Sequence, residues 1–94
     1  MAGTDIVRTE GVLGGEPRLE GKRISVIQIA DLVLEAGHSV EWVADQLDVS
    51  LAEVHTALAY YYDNPDEMDK IRARHAELEE LLREQATKPE RLEP

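Results

Sequence analysis

Three histidines, His38, His55 and His75, are the side chains in this 94-residue chain best suited to proton transfer or metal binding near neutral pH. They stand too far apart for a local metal motif. No cysteine is present, which excludes disulfides, thiolate zinc sites and thiol nucleophiles. No Ser/His/Asp arrangement, phosphate loop or dinucleotide fingerprint is visible. Gly14-Gly15-Glu16-Pro17 reads as a turn, and it opens no helix as a phosphate-binding loop would. Carboxylates are so abundant that pairs within helical reach arise by chance. The sequence predicts no enzyme, no metal site and no cofactor.

What remains is recognition by charge and by apolar surface. Arg8, Arg18, Lys22 and Arg23 concentrate near the N-terminus, where they suit phosphate contacts. Four acids share that segment, so a charge-balanced solvated surface is the other reading. Ser50, His55 and Thr56, with Ala52 and Glu53, form the N-terminal face of a helix that could meet base edges in a DNA groove. Met68, Ile71, His75, Leu78 and Leu82 follow 3-4-3-4 spacing, an a/d seam broken by one histidine. Such a seam folds back on its own core, pairs with a second copy or docks on a protein partner.

The elements that must position these residues can be read in order. Asp5 to Arg8 looks like a short strand, and Gly11 to Gly15 is a turn-rich loop. Pro17-Arg18-Leu19 and Lys22-Arg23-Ile24 flank Glu20-Gly21 as a tight hairpin. Ser25 and Gln28 form a capping box for a helix apolar nearly all round: Val26, Ile27, Ile29, Ala30, Leu32, Val33 and Leu34. Gly37 ends it. Ser39 caps a second helix whose Val40, Val43, Ala44 and Leu47 share a face, with Trp42 off it. Asp48-Val49 makes a corner, and Ser50 with Glu53 caps a third helix whose expected buried face is Leu51, Val54, Leu58 and Tyr61, with Ala57 packed against the preceding helix. The corner and crossing have the pattern of a helix-turn-helix. Three consecutive tyrosines cannot all face inward, which sends Tyr60 or Tyr62 toward the surface. Asn64-Pro65-Asp66-Glu67 starts a fourth helix, on which Asp66–Lys70 and Glu79–Arg83 are i,i+4 pairs. The residues after Ala86 lack an apolar period and read as a disordered tail.

The charge complicates the DNA reading. Formal net charge is −10, and between Ser25 and Asp63 seven acids stand with no Lys or Arg. Cations for a phosphate backbone must therefore come from the hairpin, the last helix or a partner chain. Uniform acidity with only three lysines also suits solubility at high salt, as in a halophilic protein. No run resembles a signal peptide or approaches the ~20 apolar residues of a membrane span, so a cytoplasmic protein with no membrane partner is expected.

The stretch from Gly11 to Val26 (GVLGGEPRLEGKRISV) resembles the GG-x-P-x-I-x-G-T-R-I-x-V opening of the domain of unknown function family 433. Leu51 to Tyr61 looks similar to its helical part, and the resemblance spans about residues 5–68. The matching motif positions are Gly15, Pro17, Gly21, Arg23 and Ile24, while Lys22 stands where Thr is usual. The resemblance implies a small, mostly helical fold with an N-terminal β element. It further implies an antitoxin-like protein of a type II toxin–antitoxin module, which as a dimer binds promoter DNA and blocks a PIN-domain ribonuclease with its C-terminal part.

The expectation is a mostly α, homodimeric helix-turn-helix bundle of about four helices with a short N-terminal β-hairpin. Its parts are a β-hairpin arm (1–24), a three-helix core (25–63), an amphipathic helix (64–85) and a tail (86–94). Expected DNA contacts are Arg8, Arg18, Lys22, Arg23, Ser50, His55 and Thr56; expected partner contacts are Met68, Ile71, His75, Leu78 and Leu82. The expected function is an antitoxin-like transcriptional regulator, or else an acidic interaction module that uses the helix-turn-helix only as a scaffold.

Overall fold

The computed structural model describes residues 5–86. It is mostly helical, with four helices behind a short antiparallel pair of strands. Strand β1 (Ile6–Val7) pairs with β2 (Arg18–Leu19), Ile6 opposite Leu19 and Val7 opposite Arg18. The turn expected at Glu20-Gly21 is present: Lys22 N–H donates to Leu19 O, Leu19 N–H to Ile24 O, and Gly21 takes φ +79°. The ladder partner of β2 is nevertheless the distant β1, which sets apolar Ile6 opposite Leu19 and against the core. The Lys22-Arg23 arm returns only through a single bridge between Arg18 and Ser25.

Helix α1 (Val26–Ala30) begins at Ser25, whose Oγ accepts from Gln28 N–H at 3.0 Å. The single regular helix expected up to Gly37 changes character at Asp31. Residues Asp31–Glu35 form a π-helical turn, in which Ala36 N–H reaches back five residues to Asp31 O at 2.9 Å. Leu32 and Val33 of the wide turn still pack against the core at partial burial. Val26, Ile27, Ile29 and Ala30 are buried, whereas Leu34 is exposed.

Helices α2 (Val40–Leu47) and α3 (Leu51–Asp63) meet at the anticipated corner. Asp48 adopts the left-handed conformation (φ 57°, ψ 50°), and Val49 N–H bonds to Ala44 O at 3.0 Å, closing α2. Ser50 and Glu53 form both halves of a capping box. Val43, Val54 and Ala57 are fully buried where α2, α3 and α1 converge. Leu51 is not on the buried face: as the first residue of α3 it stands beside the corner and is 45% exposed. Of the tyrosines, Tyr62 is the one turned to solvent.

Asn64 separates α3 from α4 (Pro65–Ala86), and its side-chain amide donates back to Tyr60 O at 3.0 Å. Met68 and Ile71 are 2% and 4% exposed and complete the core with Leu19, Ile29 and Val54. Farther along, Leu78, Leu81 and Leu82 are exposed. Arg83 pairs with Glu80. The expected tail lies outside the described residues except for Ala86, which closes α4.

Candidate functional site

The four hairpin cations divide into two pairs. Arg8 leaves β1 and reaches Glu67 at the start of α4, its Nε 2.8 Å from Oε2 and its Nη2 2.7 Å from Oε1. The Tyr60 hydroxyl donates to the same carboxylate at 2.8 Å. The guanidinium, and secondarily the phenol, hold the Glu67 carboxyl below its ordinary range against the opposing effect of burial. Burial pushes the Tyr60 hydroxyl up, and its bond to Glu67 acts in the same sense. Arg18 is half-buried and donates to Leu19 O, Lys22 O (2.9 Å) and Thr9 Oγ1 (2.9 Å), so it braces the Gly21 turn.

Lys22 and Arg23 form the other pair. Neither side chain has a hydrogen bond or ion pair to another described residue, and Arg23 is exposed. The contrast with its motif neighbours is informative. Pro17 is fully buried and its carbonyl accepts from Val26 N–H; Ile24 packs on the core; Gly15 and Gly21 hold positive φ. Arg23 is the motif position left without a structural role.

On α3, His55 is exposed and Thr56 is half-buried. Ser50 is exposed, but its Oγ is engaged by Glu53 N–H, so it contributes a shaped helix start more than a free hydroxyl. Trp42, outside the expected set, is 40% exposed and stacks on His38 with centroids 3.7 Å apart.

The residues along α4 serve two purposes. Polar clamps fasten its first half. Glu67 takes Arg8; Arg72 lies 2.7 Å from Asp31 of the π turn, with its guanidinium over the Tyr61 ring and a 3.0 Å bond to that hydroxyl. The Tyr61 hydroxyl, then Asp31, keep Arg72 protonated above its ordinary value. His75 Nε2 lies 2.6 Å from Glu16 Oε2, with Arg74 3.7 Å from the same oxygen, and the Glu16 side chain is largely buried. Met68 and Ile71 are therefore core, His75 is a clamp, and Leu78 and Leu82 are the part of the seam left open. Sequence reasoning missed Asp31, Tyr60, Tyr61, Glu67 and Arg72 as one fastening system, since its pairs lie up to 59 residues apart with no local spacing to connect them.

No helix among the described residues is long and apolar enough to cross a membrane. A family model described as Protein of unknown function (DUF433) matches residues 6–61, from β1 to near the end of α3. The chain belongs to this family. The DUF433 match takes in the strand pair, the Gly21 turn and helices α1 to α3 up to Tyr61, and it ends before α4. No curated protein and no solved structure matches the chain.

Proposed function

We propose that the chain is an antitoxin-like transcriptional regulator, with a DNA-facing end and a protein-binding end. The observation that carries this reading is Arg23, exposed and without a structural task just after the Gly21 turn, on the same small domain as the left-handed corner at Asp48 between α2 and α3. Lys22 and Arg23 would contact phosphate while the exposed start of α3, with His55 and Thr56, enters the groove. The distal half of α4, with Leu78 and Leu82 open, would hold a PIN-domain ribonuclease in the cytoplasm.

The test is a gel shift with the chain's own promoter DNA at moderate salt. The full chain retards it, and Arg23→Ala and Lys22→Ala each weaken binding by several-fold while leaving helix content unchanged. The ribonuclease half is read by co-purification with the product of the neighbouring reading frame, lost on truncation after Ala76.

The absence of Lys and Arg from Ser25 to Asp63 favours a second reading, an acidic interaction module whose helix-turn-helix serves only packing. Retardation that is absent at every salt concentration, with retained ribonuclease binding, selects it.

A further inference from the structure

The corner between α2 and α3 borders a groove of about 420 Å³, lined by Glu41, Ala44, Asp45, Asp48, Val49 and Leu51. Its apolar side is Ala44, Val49 and Leu51, of which Leu51 is 45% exposed. Its other side is a row of three exposed carboxylates, none with a hydrogen bond or ion pair to another described residue. This row works against the fold. Glu41 and Asp45 are a like-charged i,i+4 pair. Asp48 holds a left-handed backbone and sets its charge at the C-terminal end of α2. No lysine or arginine between Ser25 and Asp63 relieves the repulsion. Solubility at high salt asks for exposed acids anywhere on the surface; it does not ask for a row of them against an open leucine.

We propose that this groove docks a cationic helix of a partner protein, one that carries Lys or Arg at i, i+4 and i+7 with an apolar flank. The three acids stand four and three residues apart, about 6 and 4.5 Å along the α2 axis. A second helix repeats that spacing. An extended segment does not, since its same-face side chains recur every ~7 Å and its third cation overshoots Asp48. The partner's cations relieve the repulsion within the row and fix the register, while its apolar flank covers Leu51. The residues used above for DNA and for the ribonuclease, Lys22, Arg23, His55, Thr56, Leu78 and Leu82, do not line this groove. The docking needs neither of those partners, and it stands or falls apart from the function proposed above.

Trp42, the one tryptophan of the chain, is 40% exposed and follows Glu41 on α2, so its fluorescence reports on the rim of the groove. The probe is a capped, alanine-based peptide of about 18 residues, long enough to be helical, with Arg at i, i+4 and i+7 and leucines flanking that row. It is titrated into the full chain at about 0.15 M salt, where charges farther than ~8 Å are screened. Saturable one-to-one binding at micromolar concentration is expected. A peptide of the same composition with its arginines scattered round the helix is expected to bind at least tenfold more weakly. Glu41→Gln with Asp45→Asn is expected to weaken the first peptide at least tenfold. Asp48→Asn and Leu51→Ala are each expected to weaken it several-fold, Asp48→Asn without lowering the thermal midpoint. Glu77→Gln with Glu79→Gln removes as much charge from α4 and is expected to leave binding unchanged. Equal binding of the two peptides, or equal loss from the α4 changes, means attraction to overall acidity and overturns the proposal. No binding in the micromolar range, a Leu51→Ala chain that binds as the wild type, or an Asp48→Asn midpoint that falls overturns it too. So does self-association of the wild type that the Glu41 and Asp45 changes abolish, which puts Lys22 and Arg23 of a second copy in the groove.

Discussion

Arg8 looks on the sequence like one more cation of a phosphate-binding cluster, and its surroundings give it different work. It ties the first strand to the start of α4 through Glu67, with Tyr60 completing the contact. Because half of its side chain is in solvent, the contact is screened, and Arg8→Ala is expected to cost about 1 kcal/mol in urea denaturation. Glu67 has a depressed pKa, so its contribution is present above the ordinary glutamate pKa of about 4.3 and lost as pH falls through the lower folded value. The stability advantage of the wild type over Glu67→Gln should therefore be full at neutral pH and vanish in acid. An advantage that persisted in strong acid would show that the carboxylate charge is not its source. At the corner, Asp48 holds a left-handed backbone and places a negative charge at the C-terminal end of α2, both mildly unfavourable. Asp48→Gly is expected to raise stability by up to about 1 kcal/mol, and Asp48→Val to lower it.

Single helices in this molecule are specified locally at their ends and globally along their lengths. The caps at Ser25, Ser39 and Ser50 were all legible, since a Ser three residues before an amide it can bond is a local chemical signature. Ser50→Ala should cost about 1 kcal/mol, measured as a shift in the thermal midpoint, and Glu53→Ala less. The α4 seam was legible as a period but not as an assignment. Its regular spacing gives no sign of where the rest of the molecule ends. Met68→Ala is expected to cost about 2–5 kcal/mol, whereas Leu82→Ala should stay within about 0.5 kcal/mol at concentrations where the chain is monomeric. Equal costs at the two positions would mean that the distal helix folds onto the core. The π turn in α1 had no sequence signal of its own.

The described residues are drawn out to 60 × 27 × 23 Å, with α4 as the long member. A 22-residue helix spans about 33 Å, more than the remaining small core can cover on one side. This is why the same helix is core at one end and open surface at the other. At this scale the charge distribution sets a quantitative expectation for DNA. With Arg8 and Arg18 committed to internal contacts, two cations per chain remain at the Gly21 turn. A dimer would then neutralise about four phosphates, and the logarithm of affinity should fall with the logarithm of salt at a slope of about −3.6. A slope twice as steep would mean that α4 or Arg8 also reaches the duplex; a flat response would argue for the interaction module.

Taken alone, the order of residues settled whatever depends on near neighbours: the mostly helical class, the three serine caps, the left-handed corner at Asp48, the glycine turn and the apolar faces centred on Val43, Val54 and Ala57. These follow from hydrogen bonds and periods that close within a few residues. The tertiary structure decided which strand pairs with Leu19, where α1 widens, and above all what each charged side chain is for. Arg8 and Glu67 are 59 residues apart and meet only because α3 and α4 fold over β1. Arg23 is left over because nothing folds over it, and Lys22, though half-buried, meets no acid among the described residues. A cation's role depends on what lies within a few ångströms of its head group, and that distance is a property of the packed chain rather than of its local spacing.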